Sequence, residues 1–288
     1  MDKSLSLFWV GIASFTPPCG VPPQVSATGR PSELFPGPPA AAQRAGWKVI
    51  KISHKKTLVL IHTLPPLIEV FDRLTAQILP GVQVKHILDE PLLEAIRRRG
   101  RVAEEDAERL FSHARQAEQI RAQAVLVTCS TTSPLVDQIQ ARLAIPIFKI
   151  DQAMLEQAVQ LGPHIGVIAT NRTTLAPTRQ MLLAQAAKSG KHIEYEEHYV
   201  EGALDALLKG QAELHDRLVQ QAIAEVRPTL DVIVLAQASM ARALENGAVP
   251  QEGEGAPVLS SPYLALEQIA PVFRSTPGLG ILRTGRGG

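Results

Sequence analysis

The chain has 288 residues, of which 45% are hydrophobic and 20% charged, and its formal net charge is +1. This composition predicts a globular protein long enough for two modest domains. A net charge so close to zero disfavours a nucleic-acid surface, and the sequence contains no apolar run of about 18 residues that would predict a transmembrane helix. We therefore expect neither a nucleic-acid partner nor a membrane span.

The two cysteines, Cys19 and Cys129, are too few to predict a disulfide framework. The apolar run at residues 5–15 lacks a net basic flank and a small-residue cleavage pattern, so it does not predict a secretion signal. Both observations favour a cytoplasmic protein.

The two ends of the chain differ in composition from its middle. Eight of the 22 prolines fall in residues 1–55, which predicts a disordered, Pro-rich N-terminal extension. Residues 275–288 are rich in Gly and Arg and predict a flexible tail.

Apolar runs alternate with amphipathic helical patterns between these ends, as in parallel α/β sheets. In the first lobe, residues 56–150, the predicted strands are 57–61, 82–87, 124–127 and 147–150. The predicted helices there are 67–79, 102–122 and 134–143, and the basic run at 97–101 is interpreted as a solvated helix end.

Residues 151–260 repeat this scheme as a second lobe. The predicted strands are 165–169, 192–196, 232–235 and 257–259, and the predicted helices are 151–161, 174–187, several within 202–226, and a short one after residue 237. A loop is expected at 247–255, and a C-terminal helix within 261–274.

The segment AVLVTCSTTSP, residues 124–134, predicts a strand, a polar turn at Cys129 and a helix start. The same design recurs in VIVLAQASMARA, where Gln237 stands 108 residues after Cys129, and Thr170 stands 107 residues after Thr63. Chance likeness between two buried βα units is the alternative. The near-constant offset favours an α/β fold of two pseudo-symmetric lobes, each a mainly parallel sheet flanked by helices, with the active site in the cleft between them.

Cys129 is the first candidate for chemistry, because a turn before a helix N-terminus favours a thiolate. A buried structural cysteine is the alternative interpretation. The hydroxyls and N–H groups that follow it suit a substrate carboxylate, although a plain helix cap explains them equally well. These residues are Ser130, Thr131 and Thr132.

His62 and Thr63 end the first predicted strand at the same edge of the sheet. His62 is a candidate second acid or base, unless it only bonds a neighbouring carbonyl group. The matching loop of the second lobe offers three further substrate-binding candidates, Thr170, Asn171 and Thr173. No histidine has metal-ligand spacing and no Gly-rich phosphate loop follows a strand, so we expect no metal and no cofactor.

The runs VTCSTTSP, IGVIATNRTT and DVIVLAQASMARA together resemble the aspartate/glutamate/hydantoin racemase superfamily, over about residues 56–269. The resemblance implies two lobes that each carry one cysteine after a strand, acting as two bases on opposite faces of a carbon acid. Cys129 matches the first cysteine. The second-lobe pattern similar to L-G-C-A-G-M is LAQASM here, so Gln237 replaces the second cysteine and the chain resembles a single-cysteine member.

An amide has no pKa suited to proton transfer, so Gln237, with Ala238 and Ser239, is expected to hold substrate rather than to abstract a proton. We expect a cofactor-independent racemase, epimerase or isomerase acting on an amino acid or related small carboxylate, with Cys129 as acid/base or nucleophile. The alternatives are a decarboxylase with one-sided protonation by Cys129 and a non-catalytic small-carboxylate binding protein. Assembly into a homo-oligomer stays open.

Overall fold

The protein is described by a computed structural model over residues 55–245 and 255–274. The predicted N-terminal extension, nearly all of the predicted loop at 247–255 and the predicted tail lie outside the described residues. No helix in the described ranges is long and apolar enough to cross a membrane.

The first sheet has the strand order β2-β1-β3-β4, and all of its strand pairs are parallel. Its strands are β1 (Thr57–His62), β2 (Gln83–Leu88), β3 (Ala124–Val127) and β4 (Ile147–Lys149). Its helices are α1 (Leu67–Ile78), α2 (Glu90–Arg99), α3 (Glu104–Gln119) and α4 (Val136–Gln140). The central strands β1 and β3 are buried at every position, which is why their sequences read as continuous apolar runs.

The second sheet repeats this order as β6-β5-β7-β8, again with parallel pairs. Its strands are β5 (His164–Ala169), β6 (Glu194–Tyr199), β7 (Val232–Leu235) and β8 (Val258–Ser260). The helices are α5 (Gln152–Leu161), α6 (Arg172–Lys188), α7 (Ala203–Leu208), α8 (Ala212–Val226), α9 (Arg242–Glu245) and α10 (Ser261–Arg274). The predicted fold class, two α/β lobes with parallel sheets, is confirmed.

Three local predictions differ from the structure. Helix α2 is a full helix rather than only a basic helix end: the Asp89 side chain accepts a hydrogen bond from the Leu92 N–H at its start, and Gly100 ends it in the left-handed region at φ 77°. Strand β6 lies two to three residues later than predicted, because an exposed, charged edge strand has little apolar pattern. The segment after Cys129 is a 3-10 helix, Ser130–Leu135, that leads into the short α4.

Helix α10 joins the two lobes. It follows the second sheet in sequence, yet Leu266, Ile269 and Phe273 pack into the core of the first lobe around Phe71. The Lys56 ammonium also donates a hydrogen bond to the Phe273 carbonyl oxygen, at 2.6 Å. One apolar core therefore fixes the first lobe against the end of the second.

Candidate active site

The carboxyl ends of four strands face one another between the lobes. A cavity of about 20 Å³ lies there, which is about the room that one water molecule needs. Its polar lining consists of Thr63, Thr128, Ser130, Thr131, Asn171, Thr174, Gln237 and Ser239. Cys129 and the apolar residues Leu64, Leu67, Leu93, Leu204 and Ala238 complete the lining. An amino-acid-sized ligand needs more room than this, so the lining must move to admit one.

Cys129 lies two residues after the end of β3 and directly precedes the 3-10 helix Ser130–Leu135. It is a free cysteine, and only 7% of its surface is exposed. Its carbonyl oxygen accepts hydrogen bonds from the N–H and the side-chain hydroxyl of Thr132, both at 3.0 Å. The Thr132 hydroxyl therefore closes the turn and does not line the cavity, whereas Ser130 and Thr131 do.

A hydroxyl pair joins the lobes beside the thiol. Thr131 Oγ1 and Thr174 Oγ1 lie 2.9 Å apart, from the 3-10 helix of the first lobe to α6 of the second. Asn171 lines the cavity and also begins α6, because its Oδ1 accepts from the Thr173 N–H at 3.3 Å. The Thr173 side chain lies on α6 outside this cavity.

Gln237 faces Cys129 from the second lobe, as the offset predicts, and is almost buried at 8% exposure. Its Oε1 accepts from the Thr170 N–H at 2.9 Å, and its Nε2 donates to the Asn171 carbonyl oxygen at 3.5 Å. The amide thus connects the two strand-end loops of the second lobe. Thr170 supports Gln237 and does not itself line the cavity, whereas Ala238 and Ser239 do.

The position of His62 corrects the expectation that it reaches the ligand. The side chain is fully buried and does not line the cavity. Its Nδ1 lies 2.9 Å from Thr128 Oγ1 and its Nε2 lies 2.9 Å from His86 Nδ1. Burial, and then the nearby His86, lower the pKa of His62 to about 3. A ring with both nitrogens engaged and so low a pKa is a neutral supporting residue, not a second base for the cavity.

Asp151 is a buried carboxyl beneath this site that the sequence analysis missed. It comes just after β4, beside the turn that follows β3, and is 1% exposed. The Ser133 and Ser130 hydroxyls lie near it, yet neither its own oxygens nor these hydroxyls make a hydrogen bond of normal geometry. Burial disfavours the charged carboxylate and raises the pKa of Asp151 to about 6. The surrounding groups, the Ser133 hydroxyl first among them, favour ionisation but do not offset burial. Its place after an apolar strand, equivalent to that of Cys129, was the available signal.

Among the described residues that line the cavity, Cys129 is the one with a titratable side chain. Hydroxyls, the Asn171 and Gln237 amides and the turn beside the thiol provide donors of the kind that a carboxylate accepts. No group of three or more potential metal ligands occurs within residues 55–245 and 255–274. The arrangement can hold a small carboxylate beside one thiol.

A family model described as Asp/Glu/Hydantoin racemase matches residues 67–269 of the chain. No curated protein matches the sequence significantly.

Solved structures of racemases share the fold. A glutamate racemase of Bacillus anthracis superposes with a TM-score of 0.60 at 19% identity, covering 76% of this chain and 82% of that one. A glutamate racemase of Francisella tularensis, solved with D-glutamate, gives 0.58 at 12% identity, with 77% and 84% covered. An allantoin racemase of Klebsiella pneumoniae gives 0.54 at 16% identity, with 75% and 87% covered. At these identities the likeness establishes the fold.

Proposed function

The chain belongs to the Asp/Glu/Hydantoin racemase family and is a racemase-type isomerase, and we propose that it acts on an amino acid or a related small carboxylate. In this proposal the reaction needs no cofactor, and Cys129 is the acid/base or nucleophile. The supporting observation is that Cys129 is the titratable side chain among the described residues lining the inter-lobe cavity.

The reaction follows from what the lining can do. Thr63, Ser130, Thr131 and Asn171 bind the substrate carboxylate from several sides. The Cys129 thiolate takes a proton from the carbon next to that carboxylate, and the C–H electron pair moves into an enediolate. Hydrogen-bond donors on the carboxylate oxygens stabilise the charge that develops there. Return of the proton to the same face would restore the starting configuration, so in this proposal the planar enediolate turns in the site before the Cys129 thiol gives its proton to the opposite face. This inverts the carbon and restores the thiolate.

A second candidate, decarboxylation followed by one-sided protonation, is favoured by Gln237. Its amide supplies no proton and is bound to the Thr170 N–H and the Asn171 carbonyl, so the second face of the carbon meets no acid. In this reaction the substrate carries two carboxylates on the reacting carbon. One leaves as carbon dioxide, and the electron pair of the broken carbon–carbon bond enters the enediolate formed with the other. Cys129 then gives its proton to the carbon from one side.

A panel of amino acids and dicarboxylic acids in deuterated water separates these reactions. Proton NMR reads exchange at the carbon next to the carboxylate, and a coupled assay reads released carbon dioxide. Exchange without carbon dioxide, together with loss of optical rotation, supports the isomerase, and carbon dioxide with one deuterium gained supports the decarboxylase. A protein that binds a panel member yet does neither is a binding protein.

Cys129→Ser tests the role of the thiol, because a hydroxyl is nearly isosteric with a thiol but far less acidic. We expect turnover to fall by about 10² or more while ligand affinity is retained. The matched control is Cys19→Ser, which changes the other cysteine of the sequence and should leave turnover unchanged. Undiminished turnover in Cys129→Ser would remove the thiol from the mechanism.

A further inference from the structure

One wall of the catalytic cavity consists of leucines. Leu64 and Leu67 come from the end of β1 and the start of α1, Leu93 comes from α2, and Leu204 comes from α7 of the opposite lobe. All four are buried and belong to the same apolar cluster as Cys129. The thiol therefore lies at the border between the polar, carboxylate-binding wall and this leucine wall.

No lysine, arginine or histidine occurs among the described residues that line the cavity. Arg97 and Arg172 line an adjoining cavity that shares Asn171 and Leu204 with it. Arg97 is paired with Asp205 at 2.9 Å. The Arg172 guanidinium lies over the Tyr199 ring, 3.9 Å from its centroid. Both cations are engaged with their own partners beyond the leucine wall.

These two walls place different demands on the two ends of a substrate. The carboxylate next to the reacting carbon finds donors on the polar wall. A second carboxylate on the substituent would lose its water against leucine side chains without gaining a cation, which is strongly unfavourable. An apolar substituent at the same place gains by leaving water.

We propose that the substrate is a monocarboxylate whose reacting carbon carries an uncharged, apolar substituent, such as an aliphatic or aromatic amino acid. This inference rests on the proposed function, since it assigns the substrate class of the same site. The leucine wall, Leu64, Leu67, Leu93 and Leu204, is the specificity determinant.

The wild-type protein provides the first test. Valine, leucine and phenylalanine are compared with aspartate and glutamate by deuterium exchange at the carbon next to the carboxylate. We expect kcat/KM for the best apolar member to exceed that for either acidic one by about 100-fold or more, the range that a pocket mismatch gives. Equal or faster exchange of aspartate or glutamate would overturn the substrate assignment and leave the proposed reaction intact.

Variants on α7 test the wall itself. Leu204 and Leu207 are both buried on this helix, but only Leu204 of the two lines the cavity. Leu204→Ala should raise the ratio of phenylalanine to valine turnover by about 10-fold, because it enlarges the wall, whereas Leu207→Ala should leave the ratio unchanged. Leu204→Val removes one methylene, so it should raise the ratio by a smaller factor, and it serves if the alanine variant does not fold. An unchanged ratio in folded Leu204 variants would show that Leu204 does not contact the substituent.

Binding separates this inference from the proposed reaction. If no panel member exchanges or loses carbon dioxide, the proposed function fails, and calorimetric titration of Cys129→Ser with isovalerate and with succinate still tests the wall. Tighter binding of isovalerate supports the apolar assignment. Tighter binding of succinate, or binding of neither acid, overturns it. A preference for succinate that disappears in Arg172→Ala would identify Arg172 as the partner of a second carboxylate.

Discussion

Replacing Asp151 by asparagine should remove a pH-dependent instability. The pKa of Asp151 is raised from 3.8 in the unfolded chain to about 6 in the folded protein, so its stabilising contribution is complete below pH 3.8 and is lost as pH rises through 6. The full loss is about 3 kcal/mol. The asparagine side chain cannot ionise, so the stability of Asp151→Asn relative to wild type should rise by about 1 kcal/mol between pH 5 and pH 8.

Urea unfolding of wild type and of Asp151→Asn across this pH range measures the difference between their free energies of unfolding. Groups that titrate alike in the two proteins cancel in this difference. Asp89→Asn is the matched control. Burial raises the pKa of Asp89, but hydrogen bonds from Arg109, His113 and the Leu92 N–H outweigh burial and leave it lowered. That stabilisation is complete above about pH 4, so in a His113→Gln background, where no imidazole faces the carboxylate, the Asp89→Asn penalty should stay constant from pH 5 to pH 8. A pH-independent difference for Asp151→Asn as well would refute a raised pKa at Asp151.

Two further substitutions test how the second lobe is held. Gln237→Ala leaves the buried Thr170 N–H without its acceptor and should lower the free energy of unfolding by about 1–3 kcal/mol, measured by urea unfolding. Arg97→Ala removes an exposed ion pair to Asp205 across the cleft and should change that free energy by less than about 1 kcal/mol. A larger loss in Arg97→Ala than in Gln237→Ala would contradict both expectations.

The paired sheets were predictable because burial on both faces leaves a plain apolar signature. Strands β1, β3, β5 and β7 are central in their sheets, and their sequences contain the runs from which the duplication was inferred. Helix α2 and strand β6 were less predictable. Helix α2 is defined by its caps, Asp89 and Gly100, rather than by an apolar stripe. Strand β6 is defined by its hydrogen bonds to β5.

The candidate site was predictable where a residue lies one or two positions beyond the end of a strand. Parallel strands bring Cys129, Thr63 and Gln237 to one edge, so their positions alone place them together. His62 is one residue earlier than Thr63, and in a strand that single step reverses the direction of the side chain, away from the cavity. The leucine wall was not predictable, because Leu93 and Leu204 come from helices of different lobes that the sequence pattern does not place beside each other.

The two lobes differ at the positions that directly precede the site residues in the sequence. By the offset of the duplication, His62 and Thr128 of the first lobe correspond to Ala169 and Ala236 of the second. The first pair forms a buried hydrogen bond, while the two alanines pack in an apolar core. In the second lobe the Gln237 side chain makes a buried hydrogen bond instead, because its Oε1 accepts from the Thr170 N–H. A cysteine at position 237 would therefore add a thiol and remove the amide oxygen that accepts the Thr170 N–H.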